Sequence, residues 1–122
     1  MNDKTTILYV DDEPINLQVF EINFLDKYQV LTAESGLEGL GILKAHTDIS
    51  VVISDMKMPK MDGLEFVKKA KESNPSIPFF ILTGFDVTTE IEDAISKGIV
   101  HRYLGKPFDL SEIEKAIQSV IA

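Results

Sequence analysis

The sequence predicts an α/β fold, a doubly wound sandwich around a parallel sheet, and three observations predict it. Five short β-type runs alternate with helix-length segments in the order βαβαβαβαβα. The third and fourth runs are nearly continuous in apolar residues, the pattern of strands covered on both faces. The 122 residues, 44% of them hydrophobic, suit one compact domain with one real core. Helices following parallel strands return as right-handed crossovers and cover both faces of the sheet.

The first run is "TILYV" (6–10). Pro14 suits a first helical turn, and Leu17, Phe20 and Phe24 share one face of the helix it begins. "QVLTA" (29–33) follows, then Ser35 and Glu38 at capping-box spacing. That second helix has the weakest signal, because Gly39 and Gly41 each cost about 1 kcal/mol relative to alanine. After "SVVIS" (50–54), Asp62 is placed to cap a helix carrying Leu64, Val67 and Ala70, which ends before "NPSIP". After "PFFIL" (78–82), Val87, Ile91, Ala94 and Ile95 form an apolar stripe closed by Gly98 at a C′ position. The last run is "VHRYL" (100–104). Asp109 and Glu112 then repeat the capping-box spacing, with Phe108 and Ile113 as a hydrophobic staple.

Composition excludes several function classes. A formal net charge of -8 disfavours direct nucleic-acid binding and anionic membrane surfaces, which need clustered Lys and Arg. Without cysteine there is no disulfide, thiolate nucleophile or cysteine zinc site. His46 and His101 stand apart with no second ligand at metal spacing, and "KKAKE" (68–72) suits a solvated helix face. No stretch approaches the ~20 apolar residues of a membrane span. The expected setting is cytoplasmic, without membrane insertion. No repeat or linker divides the chain.

In such sheets, ligands bind beyond the carboxyl ends of the strands. Asp11 and Asp12 follow the first strand, Asp55 the third, Thr83 and Gly84 the fourth, and Lys106 with Pro107 the fifth. Strand two offers only Glu34, off to one side if that strand is an edge. Close carboxylates repel one another unless a cation joins them. One or two carboxylates with phosphate oxygens and retained waters are how Mg²⁺ is usually held. A lysine and a hydroxyl add donors for phosphoryl oxygens. Each residue alone has a blander account: Asp55 as a turn former, Asp11 and Asp12 as helix caps, Thr83 as a strand end, Lys106 as a solvated lysine. Together at separate strand ends they describe a metal-assisted phosphoryl acceptor.

"LYVDDEP", "VISDMKMPKMDGLEF", "ILTGF" and "YLGKPFDLSEIEKAI" resemble the receiver (phosphoacceptor) domain of two-component response regulators, the CheY-like family. The likeness covers essentially the whole chain as one receiver domain, residues 1–122. It implies a flavodoxin-like sheet with strand order 2-1-3-4-5. It also implies that Asp55 accepts a phosphoryl group from a sensor histidine kinase or a histidine phosphotransfer protein, with small acyl phosphates as further donors. Mg²⁺, or Mn²⁺ in its place, is implied on Asp12, Asp55 and the Lys57 backbone carbonyl, with Asp11 acting through a bound water. Lys106 is implied to pair with the phosphoryl group, or with Asp55 before reaction. Thr83 is implied to donate its hydroxyl to the phosphoryl group, and Gly84 to leave room for it. The resemblance places a cis peptide at Lys106–Pro107. It makes Thr83 and Tyr103 a switch that alters the surface of helix four, strand five and helix five for a downstream protein or a fused output domain.

Three positions are this chain's own. "GIVHRYLGK" is one residue longer than the commonest receiver pattern and resembles a subgroup found in multidomain regulators and hybrid kinases, so an origin in a longer protein is expected. Lys57 and Phe85 stand where many receivers carry smaller or polar residues; we expect them to tune dephosphorylation, against the blander option of side chains facing solvent or a partner. No turnover of an external substrate is expected, only slow self-dephosphorylation. A haloacid-dehalogenase-type phosphatase would want Asp-x-Asp, and Lys57 occupies the second acidic position. A flavin or nucleotide module would want a Gly-rich phosphate loop. A degenerate receiver that only binds protein remains a further alternative, and the full set of expected site positions stands against it.

Overall fold

The computed structural model describes residues 4–84, 87–106 and 109–121. The expectations on Phe85, on the Lys106–Pro107 peptide and on the Phe108 staple lie outside these residues. The strands are β1 (Thr5–Val10), β2 (Tyr28–Ala33), β3 (Ile49–Asp55), β4 (Phe79–Thr83) and β5 (Arg102–Gly105). The helices are α1 (Pro14–Phe24), α2 (Gly36–Ala45), α3 (Gly63–Ser73), α4 (Thr89–Ser96) and α5 (Leu110–Ile121). All strand pairs are parallel, in the order β2-β1-β3-β4-β5. That is the doubly wound α/β sheet the sequence predicts.

Strand alternation divides the buried residues between two cores. Leu8, Val10, Val52, Phe79 and Ile81 face one side, where Phe66, Val67 and Ala94 meet them. Ile7, Tyr9, Ile53, Phe80 and Leu82 face the other, against Phe20, Phe24, Ile113 and Ile117. Central strands therefore bury both faces, which is why β3 and β4 read as unbroken apolar runs.

Local chemistry accounts for the helix starts. Pro14 opens α1. Ser35 accepts from the Glu38 amide, and Glu38 in turn accepts from the Glu34 amide. Asp62 accepts from the Glu65 amide at 2.8 Å and Asp109 from the Glu112 amide at 3.2 Å. Thr88, which the sequence reading passed over, caps α4 through the Ile91 amide, so Val87 lies ahead of the helix.

Two places need explanation. Gly39 sits where an added Cβ would lie 2.9 Å from the Phe66 ring, so the residue that weakens α2 in isolation lets α2 and α3 close up. β5 starts later than the run 100–104 suggests. The Ile99 and Val100 amides still bond back to the Ala94 carbonyl, completing the end of α4 behind Gly98 at φ +78°.

Candidate functional site

Register brings the predicted residues to one edge. Val10 pairs with Ser54, so the residues after them, Asp11 and Asp55, are neighbours. Asp55 pairs with Leu82, which puts Thr83 one step further out. Thr83 pairs with Gly105, and the Lys106 amide returns to the Thr83 carbonyl at 3.0 Å. The stagger makes a shallow cup of about 230 Å³ lined by Asp55, Met56, Lys57, Thr83, Gly84 and Lys106.

Asp11, Asp12 and Asp55 each offer a carboxylate oxygen, and these oxygens lie within 4.8 Å of one another. Asp11 and Asp55 are buried, and Asp12 is half-buried. Lys106 reaches over β4 to place its Nζ 2.6 Å from Asp55 Oδ1. Burial pushes the Asp55 carboxyl above its ordinary value. The Lys106 hydrogen bond pulls it back, Asp11 pushes it up again, and the Lys106 charge and Asp12 follow as smaller opposed effects. Net, the charged form is disfavoured: a single lysine does not balance three carboxylates drawn out of water. All-oxygen donors with a surplus of negative charge suit a hard divalent cation, and the residues present fit Mg²⁺.

The turn from β3 to α3 holds this edge in place. The Gly63 amide donates to the Met56 carbonyl at 2.8 Å, and a Cβ on Gly63 would fall 2.3 Å from the Asp55 carbonyl oxygen. Lys60 has φ 69°, and the Met61 amide closes a tight turn onto the Pro59 carbonyl at 2.7 Å. Lys57 lines the cup and is exposed. Gly84 leaves ordinary contact distance, 3.5 Å, between an added Cβ and the Lys106 stem. Tyr103 is 42% exposed and lies outside the cup.

Asp11 is not the cap of α1. Glu13 holds that position without a side-chain cap, while Asp11 Oδ1 accepts the Glu13 amide at 2.9 Å. Asp11 Oδ2 accepts from the Tyr9 hydroxyl at 2.5 Å and from Asn16 Nδ2 at 3.1 Å. Sequence reasoning missed both partners. The alternation of β1 held the signal for Tyr9, since residues two apart share a face.

The response regulator receiver domain family matches residues 7–118. Sporulation initiation phosphotransferase F of Bacillus subtilis is 34% identical over 123 residues, covering 99% of this chain and 95% of the relative. The transcriptional regulatory protein YesN of the same species, whose function is uncharacterized, is 35% identical over 120 residues; the match covers 95% of this chain and 32% of YesN. The chain thus spans about a third of that relative's length. Among solved structures, an adenylate cyclase from Rhodopirellula baltica superposes with a TM-score of 0.92 at 36% identity, over 97% of this chain and 87% of that one. Among the described residues, no helix is long and apolar enough to cross a membrane.

Proposed function

The chain belongs to the response regulator receiver family of two-component signalling, and from that premise we propose that Asp55 is its phosphoryl acceptor. Receiver domains are phosphoacceptors without turnover of an external substrate, and they bind Mg²⁺ at an acidic pocket. The observation that carries the assignment is the placement of Asp55: buried, paired to Lys106, and within 4.8 Å of two further carboxylates.

An Asp55 carboxylate oxygen attacks the phosphorus of a phosphohistidine. The new O–P bond forms as the N–P bond breaks, and the bonding pair leaves with the imidazole nitrogen. Before reaction, Lys106 holds the carboxylate toward the cup; afterwards its ammonium pairs with a phosphoryl oxygen. Thr83, at the end of β4 on the same wall, supplies a hydroxyl to another. Asp11, Asp12, Asp55 and the Lys57 carbonyl would hold Mg²⁺, or Mn²⁺, with Asp11 acting through a water. The ion, when bound, offsets the repulsion between the carboxylate and the incoming phosphoryl group.

The donor in this proposal is a sensor histidine kinase or a histidine phosphotransfer protein. α1 supports a protein donor: it is apolar on its outward side as well as its inward one. Ile15 and Ile22 are 70% and 69% exposed, with the half-buried Val19 between them, and the row starts beside the acidic pair. Output is proposed to run through Thr83 and Tyr103 to the surface of α4, β5 and α5, read by a downstream protein or a fused output domain. Slow loss of phosphate to water, tuned by Lys57 and Phe85, is part of the same proposal, as is a cytoplasmic setting.

Incubation with Mg²⁺ and acetyl phosphate or phosphoramidate, followed by intact mass, tests the acceptor. A phosphate adduct is expected in the wild type and absent in Asp55→Asn. No adduct from any donor, a phosphohistidine protein included, would favour a domain that only binds protein.

A further inference from the structure

Tyr9 is fully buried, yet it ends beside the acidic cluster. Its ring stacks on Phe20 with centroids 4.3 Å apart and planes 11° off parallel, and Phe20 packs on Phe24 at 4.8 Å. The core therefore fixes where the phenol points, and it points at Asp11 Oδ2. We propose that Tyr9 is a positioning residue for the cation site, holding the Asp11 carboxylate at one orientation through its hydroxyl.

A carboxylate has about four lone-pair sites, and its terminal torsion is broad and nearly two-fold. Tyr9 and Asn16 take up Oδ2, and the Glu13 amide takes one site on Oδ1. These donors come from β1, from α1 and from the turn between them, so Asp11 cannot rotate without breaking bonds to all three. What they leave is the remaining Oδ1 site for the ion or its water. Mg²⁺ demands near-ideal octahedral geometry and keeps several waters, so the direction of an outer carboxylate matters as much as its charge.

A second effect opposes the first: the hydroxyl draws charge from Asp11 and weakens it as an acceptor. Orientation is expected to win, because groups bonded to metal ligands typically change affinity 10–100-fold when removed. The Tyr9 hydroxyl donates to Asp11 Oδ2, so the effect is expected to run through Asp11.

The inference rests on the metal assignment above, and one experiment separates the two. Amide chemical shifts of the ¹⁵N-labelled protein are followed during titration with MgCl₂ for wild type, Tyr9→Phe, Asn16→Ala and Phe20→Leu. Tyr9→Phe keeps the stacked ring and should raise the Mg²⁺ Kd on the order of 10-fold. Asn16→Ala, which removes the other donor to Oδ2, should shift it the same way. Phe20→Leu loosens the stack that aims the phenol but keeps the hydroxyl; its urea midpoint should fall and its Kd should rise less than in Tyr9→Phe. An unchanged or tighter Kd in Tyr9→Phe would overturn the role of Tyr9 alone. No saturable shifts in the wild type would overturn the metal assignment itself.

Discussion

Lys106 Nζ lies 2.6 Å from Asp55 Oδ1, tying the end of β5 to the end of β3 across β4. The tie does not make Asp55 an easy charge, because burial outweighs it and leaves the folded pKa above the unfolded one. Between those two values the folded chain keeps a proton that the unfolded chain has lost. Stability therefore falls as pH rises through that window, and the penalty is complete above it. Asp55→Asn should gain stability relative to wild type between acid and neutral pH. Paired urea titrations across that range measure it, and a flat or reversed difference would mean that Lys106 outweighs burial.

The same charge surplus predicts a ligand effect. A cation that binds only the folded state stabilises it by about 2.7 kcal/mol at a concentration of 100 Kd. Mg²⁺ should raise the urea midpoint of the wild type, a chelator should reverse the rise, and Asp12→Asn should respond much less. Equal shifts in Asp12→Asn and the wild type would assign the effect to general ionic strength.

How far this was legible in the sequence depends on the range of the interaction. The element order and the site edge followed from local runs and from one residue past each run, because parallel sheets put those positions side by side, whereas the strand order came from the family resemblance. Helix caps were legible because Ser35, Asp62 and Asp109 act within three residues of themselves. Gly39 was misleading in isolation, since its justification is the ring of Phe66, a residue on another helix. The start of β5 was misplaced because the end of α4 claims the Ile99 and Val100 amides first. Tyr9 was not singled out within the run 6–10, although alternation places it on the face of Asp11.

Gly63 is predicted to be intolerant of any side chain. An added Cβ would meet the Asp55 carbonyl oxygen at 2.3 Å and Met56 Cα at 2.9 Å, both backbone atoms that cannot rotate away. Gly63→Ala should cost about 1–3 kcal/mol, the range for overpacking a tight site. Because the displaced atoms belong to Asp55 and its successor, acetyl phosphate labelling should slow in the fraction that remains folded. Urea unfolding and timed intact-mass labelling on one sample would separate the two effects.

At high pH, Tyr9 predicts a specific weakness. Burial pushes its phenol well above the ordinary value of 10.0, and the hydrogen bond to Asp11 and the charges of Asp11 and Asp55 push the same way. Below that ordinary value both states hold the proton and Tyr9 contributes no slope. Above it the unfolded chain ionises and the folded chain does not, so stability falls by about 1.4 kcal/mol per pH unit. Tyr9→Phe should lack this slope. Stability curves that stay parallel above the ordinary tyrosine value would show the hydroxyl ionising in place.

The outward row on α1 separates docking from chemistry. Ile15 is 70% exposed, so Ile15→Glu should change stability by no more than about 0.5 kcal/mol. It leaves Asp55, Lys106 and the acidic pair untouched, so labelling by acetyl phosphate should keep its rate. A protein donor that covers this row must desolvate the new carboxylate. Burying an unpaired carboxylate in an interface costs about 1 kcal/mol or more, and 1.4 kcal/mol is tenfold in affinity. Transfer from a phosphohistidine protein, followed by loss of its label at sub-saturating concentration, should therefore slow on the order of tenfold. Unchanged transfer from the protein donor would place docking elsewhere on the rim, while a slowdown with both donors would mean that Ile15→Glu had disturbed the site itself.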